Sequence, residues 1–149
     1  NTLASLGIVN GVGGGAFDPD RSITRSEFVV MAMRFAHGTD NGENVFPDVS
    51  RENWFYDQVV GCVKYGWITG YADGTFRPDN TISRAEVAAV VNRMLGRSAD
   101  KSFVDSHAGE LVQFTDVSSL YWAYYHIMEA ANAHDHASAN GQETWTQLH

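Results

Sequence analysis

Residues 66–94, GWITGYADGTFRPDNTISRAEVAAVVNRM, and residues 7–35, GIVNGVGGGAFDPDRSITRSEFVVMAMRF, are one segment written twice. At an offset of 59, ten of 29 aligned positions are identical, among them Gly11/Gly70, Phe17/Phe76, Pro19/Pro78, Arg25/Arg84 and Glu27/Glu86. A second similarity runs at an offset of 68: FPDVSRENWFYDQVVGCVKYG from Phe46 matches FTDVSSLYWAYYHIMEAANAH from Phe114 at Phe, Asp, Val, Ser, Trp and Tyr. There are thus two kinds of half-unit, and only Phe46 to Gly96 holds both in order. The chain reads as a back half (1–37), a complete unit (46–96), a polar connector (97–113), then a front half with a polar tail (114–149). Internal repetition of this kind marks a repeat architecture.

Periodicity supplies the helices. After Ser83, apolar residues fall at Val87, Val90, Val91, Met94 and Leu95, the stripe of an amphipathic helix. The counterparts after Thr24 are Phe28, Met31, Ala32, Phe35 and Ala36. The front halves give Trp54, Val59, Cys62 and Val63, and Trp122, Ile127, Ala130 and Ala131, each a helical face starting near its Trp. Gly96 sits where a helix stops. GYADGTF, between the helices, reads as a turn with a short extended piece. Each unit is therefore helix, glycine-rich loop, helix, and the fold class is mainly α.

Thr24-Arg25-Ser26-Glu27 and Ser83-Arg84-Ala85-Glu86 both fit the capping box, in which an N-cap hydroxyl and the Glu three residues on satisfy each other's backbone N–H groups. That assigns both glutamates to structure and argues against a hydrolase using them as paired catalytic carboxylates. The arginines are the anomaly. Each stands at the first helical position, where the macrodipole disfavours a cation by about 0.3–1 kcal/mol. Two readings remain: an anion site built from dipole, amides and guanidinium, or a bridge to a nearby carboxylate such as Asp20 or Asp79. Calcium fits poorly, because an EF-hand frame ending at Glu27 or Glu86 lacks two or three required ligands.

Bulk properties bound the function. The 149 residues carry 10 Lys+Arg against 18 Asp+Glu, a net charge of −8, which opposes non-specific nucleic-acid binding. With 44% hydrophobic residues the chain can build an ordinary core, and its longest apolar runs fall far short of the ~20 residues that span a bilayer. Cys62 is the only cysteine, so no intrachain disulfide or Cys-rich zinc cluster exists; on its apolar face it reads as a buried small hydrophobe. The sequence starts at Asn1 without Met or a basic-plus-apolar leader, and reads as a piece of a longer protein. Trp54 and Trp122 are expected as core anchors. Trp67 and Tyr71, in the loop region, are better placed as a sugar-stacking platform. Trp145 in the tail is left open between docked and exposed. His134-x-His136, with His126 eight residues earlier, lacks a recognisable metal-ligand geometry and reads as polar surface; no metal or other cofactor is expected.

Together, Phe46-x-Asp48-Val49 with Trp54, then Gly66-x-Ile68-x-Gly70-Tyr71-x-Asp73-Gly74-x-Phe76-x-Pro78, then Ile82-Ser83-Arg84-Ala85-Glu86, closely resemble the S-layer homology (SLH) domain. The resemblance implies a pseudo-threefold, mostly helical bundle. It also implies a noncatalytic, extracellular role: anchoring a bacterial surface protein to the wall by binding an acidic, commonly pyruvylated, secondary cell-wall polysaccharide, beside other surface-layer subunits. Arg25 and Arg84 inherit the reading of the anionic ketal, with Asp73, Gly74, Tyr71 and Trp67 completing the implied glycan-binding set. Two departures stand out. The first loop has Gly13-Gly14-Gly15 where the second has Ala72-Asp73-Gly74, and the third unit never reaches a Ser/Thr-Arg-x-Glu motif. A structural or self-association module with decayed glycan sites is the alternative.

Overall fold

A computed structural model describes residues 2–39 and 41–149. The elements run α1 (Thr2–Ser5), α2 (Arg25–Ala36), α3 (Tyr56–Lys64), α4 (Arg84–Met94), α5 (Lys101–Ser106), α6 (Tyr124–Ala131), β1 (His134–Ala139) and β2 (Gln142–Leu148). Two compact units divide the chain between Ile82 and Ser83, inside the complete repeat rather than at its edge. In the first unit α2 packs on α3, and in the second α4 packs on α6. Each pair joins the back half of one repeat to the front half of the next.

Both capping boxes form. Glu27 N–H donates to Thr24 Oγ1 (3.2 Å) while Thr24 N–H donates to Glu27 Oε2 (2.8 Å), and Ser83 with Glu86 repeats the pair at 3.2 and 2.8 Å. After α4, Gly96 takes φ +67° and donates to the Arg93 carbonyl as Arg97 donates to that of Asn92. This is the two-bond Schellman ending, for which the left-handed residue is best a glycine. Gly66 ends α3 identically, through Val63 and Cys62.

The repetition extends to the backbone. Gly7 and Gly66 share φ +69°, Gly15 and Gly74 lie at +79° and +80°, and Asp18 and Arg77 at +56° and +58°. Val12 N–H bonds the Ala16 carbonyl at 2.9 Å, as Tyr71 N–H bonds that of Thr75 at 2.8 Å. No strand forms in either loop among the described residues; the short extended piece expected there is a tight turn closed by that bond together with Ala16 N–H to the Gly13 carbonyl (3.0 Å) in the first loop and Gly74 N–H to the Tyr71 carbonyl (2.9 Å) in the second.

The second loop is packed down onto α2 and α3. Phe76 is 0% exposed, with its ring 5.4 Å from that of Phe46. Asp48 receives Phe76 N–H (2.9 Å) and Arg77 N–H (2.7 Å) on its two oxygens. From the other side, Arg25 N–H donates to the Asn80 carbonyl (2.8 Å) and Ser26 N–H to that of Pro78 (3.0 Å). Around this joint lie the buried residues Val29, Val30, Met33, Val59, Val60 and Cys62, the last fully enclosed as expected.

In the second unit Asn92 is buried and donates from Nδ2 to the His126 carbonyl at 2.9 Å, tying α4 to α6. The expected polar tail is instead an antiparallel hairpin. Asn140 and Gly141, both at positive φ, make the Asn-Gly turn that suits the right-handed twist of two paired strands. Trp145 from β2 is buried in a core with Val104, Leu111, Tyr124 and Met128. Trp54 and Trp122 correct the expectation of core anchors: both are exposed. They precede their helices by two residues, so the helical stripe does not govern where their rings point. Among the described residues no helix is long and apolar enough to cross a membrane.

Candidate functional site

The second loop gathers most of the sequence-derived site residues in one place. Gly74, at φ +80°, closes a turn by donating to the Tyr71 carbonyl at 2.9 Å, and two guanidinium groups lie near the Tyr71 ring. Arg25 Cζ lies 5.0 Å from the ring centroid and Arg77 Cζ 4.2 Å, distances at which a cation is attracted to the ring face. Arg25 is buried and held: its Nη2 donates to the Thr69 carbonyl at 2.6 Å, and it also lies 5.0 Å from the Phe76 ring.

Arg77 is the outward cation. Its Nη2 meets Asp73 Oδ2 at 2.9 Å, and its Nε donates to Thr75 Oγ1 at 3.3 Å. Asp73 accepts the Thr75 hydroxyl at 2.6 Å and the Thr75 N–H at 3.0 Å. The Thr75 hydroxyl first, and then Arg77, hold its carboxyl well below the usual range. Asp73 therefore stays charged and shapes the turn. Trp67 is placed differently from Tyr71, stacked on Tyr65 with centroids 4.7 Å apart. Sequence reasoning missed Arg77, because the first repeat has Asp18 there and the position carries no repeat signal.

Arg84, in the second unit, has a different setting. It is exposed, and among the described residues its guanidinium and the N–H groups of Arg84 and Ala85 have no partner. The reading of free amides beside a guanidinium thus holds at α4. At α2 it needs correction, since Asn80 and Pro78 take those amides. Beside Arg84 lies a groove of about 830 Å³ lined by Ala88, Phe114, Asp116, Tyr121 and Ile127.

His134, His136 and Glu143 can place ligand atoms within 4.8 Å of one another, but a guanidinium already stands among them. Arg97 meets Glu143 Oε1 at 2.6 Å, Glu129 Oε1 at 2.8 Å and His134 Nε2 at 2.9 Å. His134 Nδ1 lies 2.7 Å from the Asn132 carbonyl, which assigns the ring proton to Nδ1 and lets Nε2 accept from Arg97. Burial, and then the Glu143 charge, push the Glu129 carboxyl up. The His134 side chain is only 2% exposed and stacks on Trp145 with centroids 3.6 Å apart, so its expected place on a polar surface is corrected. The cluster latches the hairpin to α6 and does not resemble a vacant metal site, because a cation would have to displace Arg97.

The S-layer homology domain profile matches residues 1–29 and 45–88. The chain carries an SLH domain. It is 36% identical over 141 residues to a cellulosome-anchoring protein of Acetivibrio thermocellus, covering 89% of this chain and 30% of that protein. Against cell surface glycoprotein 1 of the same organism, identity is 32% over 155 residues, covering 97% of this chain and 6% of the relative. Against the surface-layer 125 kDa protein of Lysinibacillus sphaericus it is 26% over 144 residues, covering 95% and 12%. The chain thus spans less than a third of the length of each of these relatives. SLH domains are noncatalytic anchoring modules, and this one is a cell-wall anchoring module acting outside the cell. The matched residues end within α4, so the 114–131 half-unit is assigned by its internal similarity to 46–63.

Proposed function

We propose that this SLH domain holds its parent protein to the wall by binding an acidic, pyruvylated secondary cell-wall polysaccharide at the Tyr71 platform, with Arg84 as a second, weaker contact. The observation that carries this reading is the exposed Arg77 guanidinium 4.2 Å from the Tyr71 ring in a chain of net charge −8. An aromatic ring offers a face to a sugar, and guanidinium groups offer forked donors to a carboxylate. Asp73 and Gly74 shape the turn that presents the ring, and Trp67, stacked on Tyr65, adds a separate aromatic contact. Relatives named for anchoring and for surface layers support the same use.

The overall negative charge repels a polyanion at a distance, so recognition acts at short range, with modest affinity per site. Several modules in an array, alongside other surface-layer subunits, then supply retention through multivalency. The test is co-sedimentation with purified Gram-positive walls, with and without pyruvyl groups, for wild type, Arg77→Ala, Tyr71→Ala and Arg84→Ala. Arg77 and Arg84 are exposed, so their loss leaves the fold intact by circular dichroism. Pyruvyl-dependent binding that falls in Arg77→Ala and Tyr71→Ala, and less in Arg84→Ala, bears the reading out. Wild-type protein that ignores the walls, or binding indifferent to pyruvate and to these residues, refutes it.

A further inference from the structure

The cluster around Arg97 encloses more acidic groups than cations to balance them. Its side chains are almost fully buried: Glu143 is 1% exposed, His134 2% and Glu129 3%. Arg97 serves one oxygen of each carboxyl, Glu143 Oε1 and Glu129 Oε1. Among the described residues, the other two oxygens, Glu129 Oε2 and Glu143 Oε2, are shut off from solvent and have no hydrogen-bond partner. His134 does not supply the missing positive charge. Its Nδ1 proton is directed at the Asn132 carbonyl, and its Nε2 stands 2.9 Å from Arg97 Nη2 as an acceptor. A proton on Nε2 would meet a guanidinium N–H head-on. With both carboxyls ionised, the enclosure would hold one uncompensated negative charge, which a site without water strongly disfavours. Two carboxyls that share one cation and no water keep a proton between them and titrate as a pair.

The other charged groups on the surrounding elements do not change that count, with one exception. On the connector, Asp100 accepts the N–H groups of Phe103 and Trp145. On α5, Lys101 Nζ lies 5.1 Å from the centroid of the Tyr125 ring. On β1, Asp135 pairs outward with His149 at 3.1 Å. On α6, burial first, and then Arg93 and Lys101, hold His126 below its ordinary value. The exception is His136, exposed on β1 with Nε2 3.8 Å from Glu143 Oε1. The hairpin itself is attached at few points. Its strands pair with each other and with no further strand among the described residues. Beyond that pairing it is held by this cluster, by Trp145 in the core of Val104, Leu111, Tyr124 and Met128, and by the bond from Trp145 to Asp100. Asn92 ties α6 to α4 separately, so the hairpin can part from α6 as a local opening.

We propose that Glu129 and Glu143 hold a single proton between them, and that its loss as pH rises releases the β1–β2 hairpin from α6. Ionisation of the second carboxyl sets two negative charges against one guanidinium, and water reaches them when the hairpin parts from the helix. Trp145 leaves the core with the strand that carries it. Burial, and then the Glu143 charge, push the Glu129 carboxyl up, in keeping with a proton bound in the latched state. Such a proton favours latching most at acid pH, and that preference is lost as pH rises through the raised value. Between the ordinary carboxylate range and that value, one proton makes the latched-to-open ratio fall about tenfold per pH unit. No residue assigned to glycan binding takes part.

The test follows the Trp145 indole N–H and the β1–β2 amides of the 149-residue chain by NMR, from mildly acid to alkaline pH. Amide protection is taken relative to intrinsic exchange at each pH. Glu129→Gln and Glu143→Gln each put a permanently neutral isostere in place of the shared acid. Wild type is latched at acid pH and loses the buried Trp145 signal and the hairpin protection as pH rises, while the α4 amides hold. Each Gln variant stays latched across the range, with any remaining slope well below tenfold per pH unit. His136→Gln removes the exposed histidine and leaves the wild-type profile in place. A wild-type hairpin indifferent to pH, or a transition that both Gln variants retain, overturns the proposal. So does one that His136→Gln abolishes, or one in which the α4 amides are lost in step. If only one isostere folds, that one decides. Unfolding of both at acid pH, where an amide replaces an acid already neutral, counts against the proposal as well.

Discussion

The same motif opens α2 and α4, and the two helix starts meet different fates. At α2 the second loop covers the motif: the amides of Arg25 and Ser26 bond Asn80 and Pro78, and Phe76 is buried beside Phe46. At α4 the motif faces a groove, and Arg84 stays exposed. Local chemistry is alike in both, down to capping boxes whose bonds agree within 0.1 Å. What separates a structural arginine from an available one is whether a following loop arrives, so a motif's role here is decided by its neighbour in the repeat order.

The largest test of that contrast is the pair Phe76→Ala and Phe17→Ala. Emptying the Phe76 site removes a fully enclosed ring and costs about 3–5 kcal/mol, whereas Phe17→Ala stays within about 0.5 kcal/mol. Urea unfolding measures both, and equal losses would erase the distinction between seated and unseated loops. Next comes Asp48→Ala, which strips the acceptor from two backbone N–H groups at once. About 1.5–3 kcal/mol is expected, on the scale of hydrogen bonds to a charged group, against about 0.5 kcal/mol or less for Asp116→Ala. Thermal melts of the two variants rank them.

The smallest effect is electrostatic. Arg21 meets Glu27 Oε1 at 2.7 Å, and its counterpart in the second repeat is Asn80. The Arg21 hydrogen bond, and then the Thr24 N–H, hold the Glu27 carboxyl below its ordinary value against the opposing effect of burial. A depressed folded-state value stabilises above the unfolded carboxylate range, and that stability is lost as pH falls through the folded value. Arg21→Asn should therefore raise the Glu27 titration midpoint by NMR and flatten the acid limb of the urea midpoint against pH. An unchanged Glu27 midpoint would show that the capping box alone sets it.

Much of this is legible in the sequence itself. Capping boxes and glycine stops are local devices, so Thr24, Glu27, Ser83, Glu86 and Gly96 could be read directly, and repetition transferred the reading from one half-unit to another. What escaped depends on tertiary placement. Trp54 and Trp122 recur at matched positions, which suggested core, but recurrence does not distinguish an inward ring from a rim. The hairpin was missed for another reason: HDHASA and QETWTQL are too polar to read as strands, although Asn140-Gly141 between them is a strong hairpin signal. Arg77 became visible only once the turn placed it over Tyr71.

The enclosure of Cys62 carries a consequence of its own. It is the only thiol in the chain, it belongs to the first unit, and it is fully shielded. An alkylating reagent can reach it only when α3 opens, so its labelling rate acts as a clock for the breathing of that unit. The second unit has no thiol and is silent in the same reaction. Without any substitution, the chain reports how often its first unit comes apart.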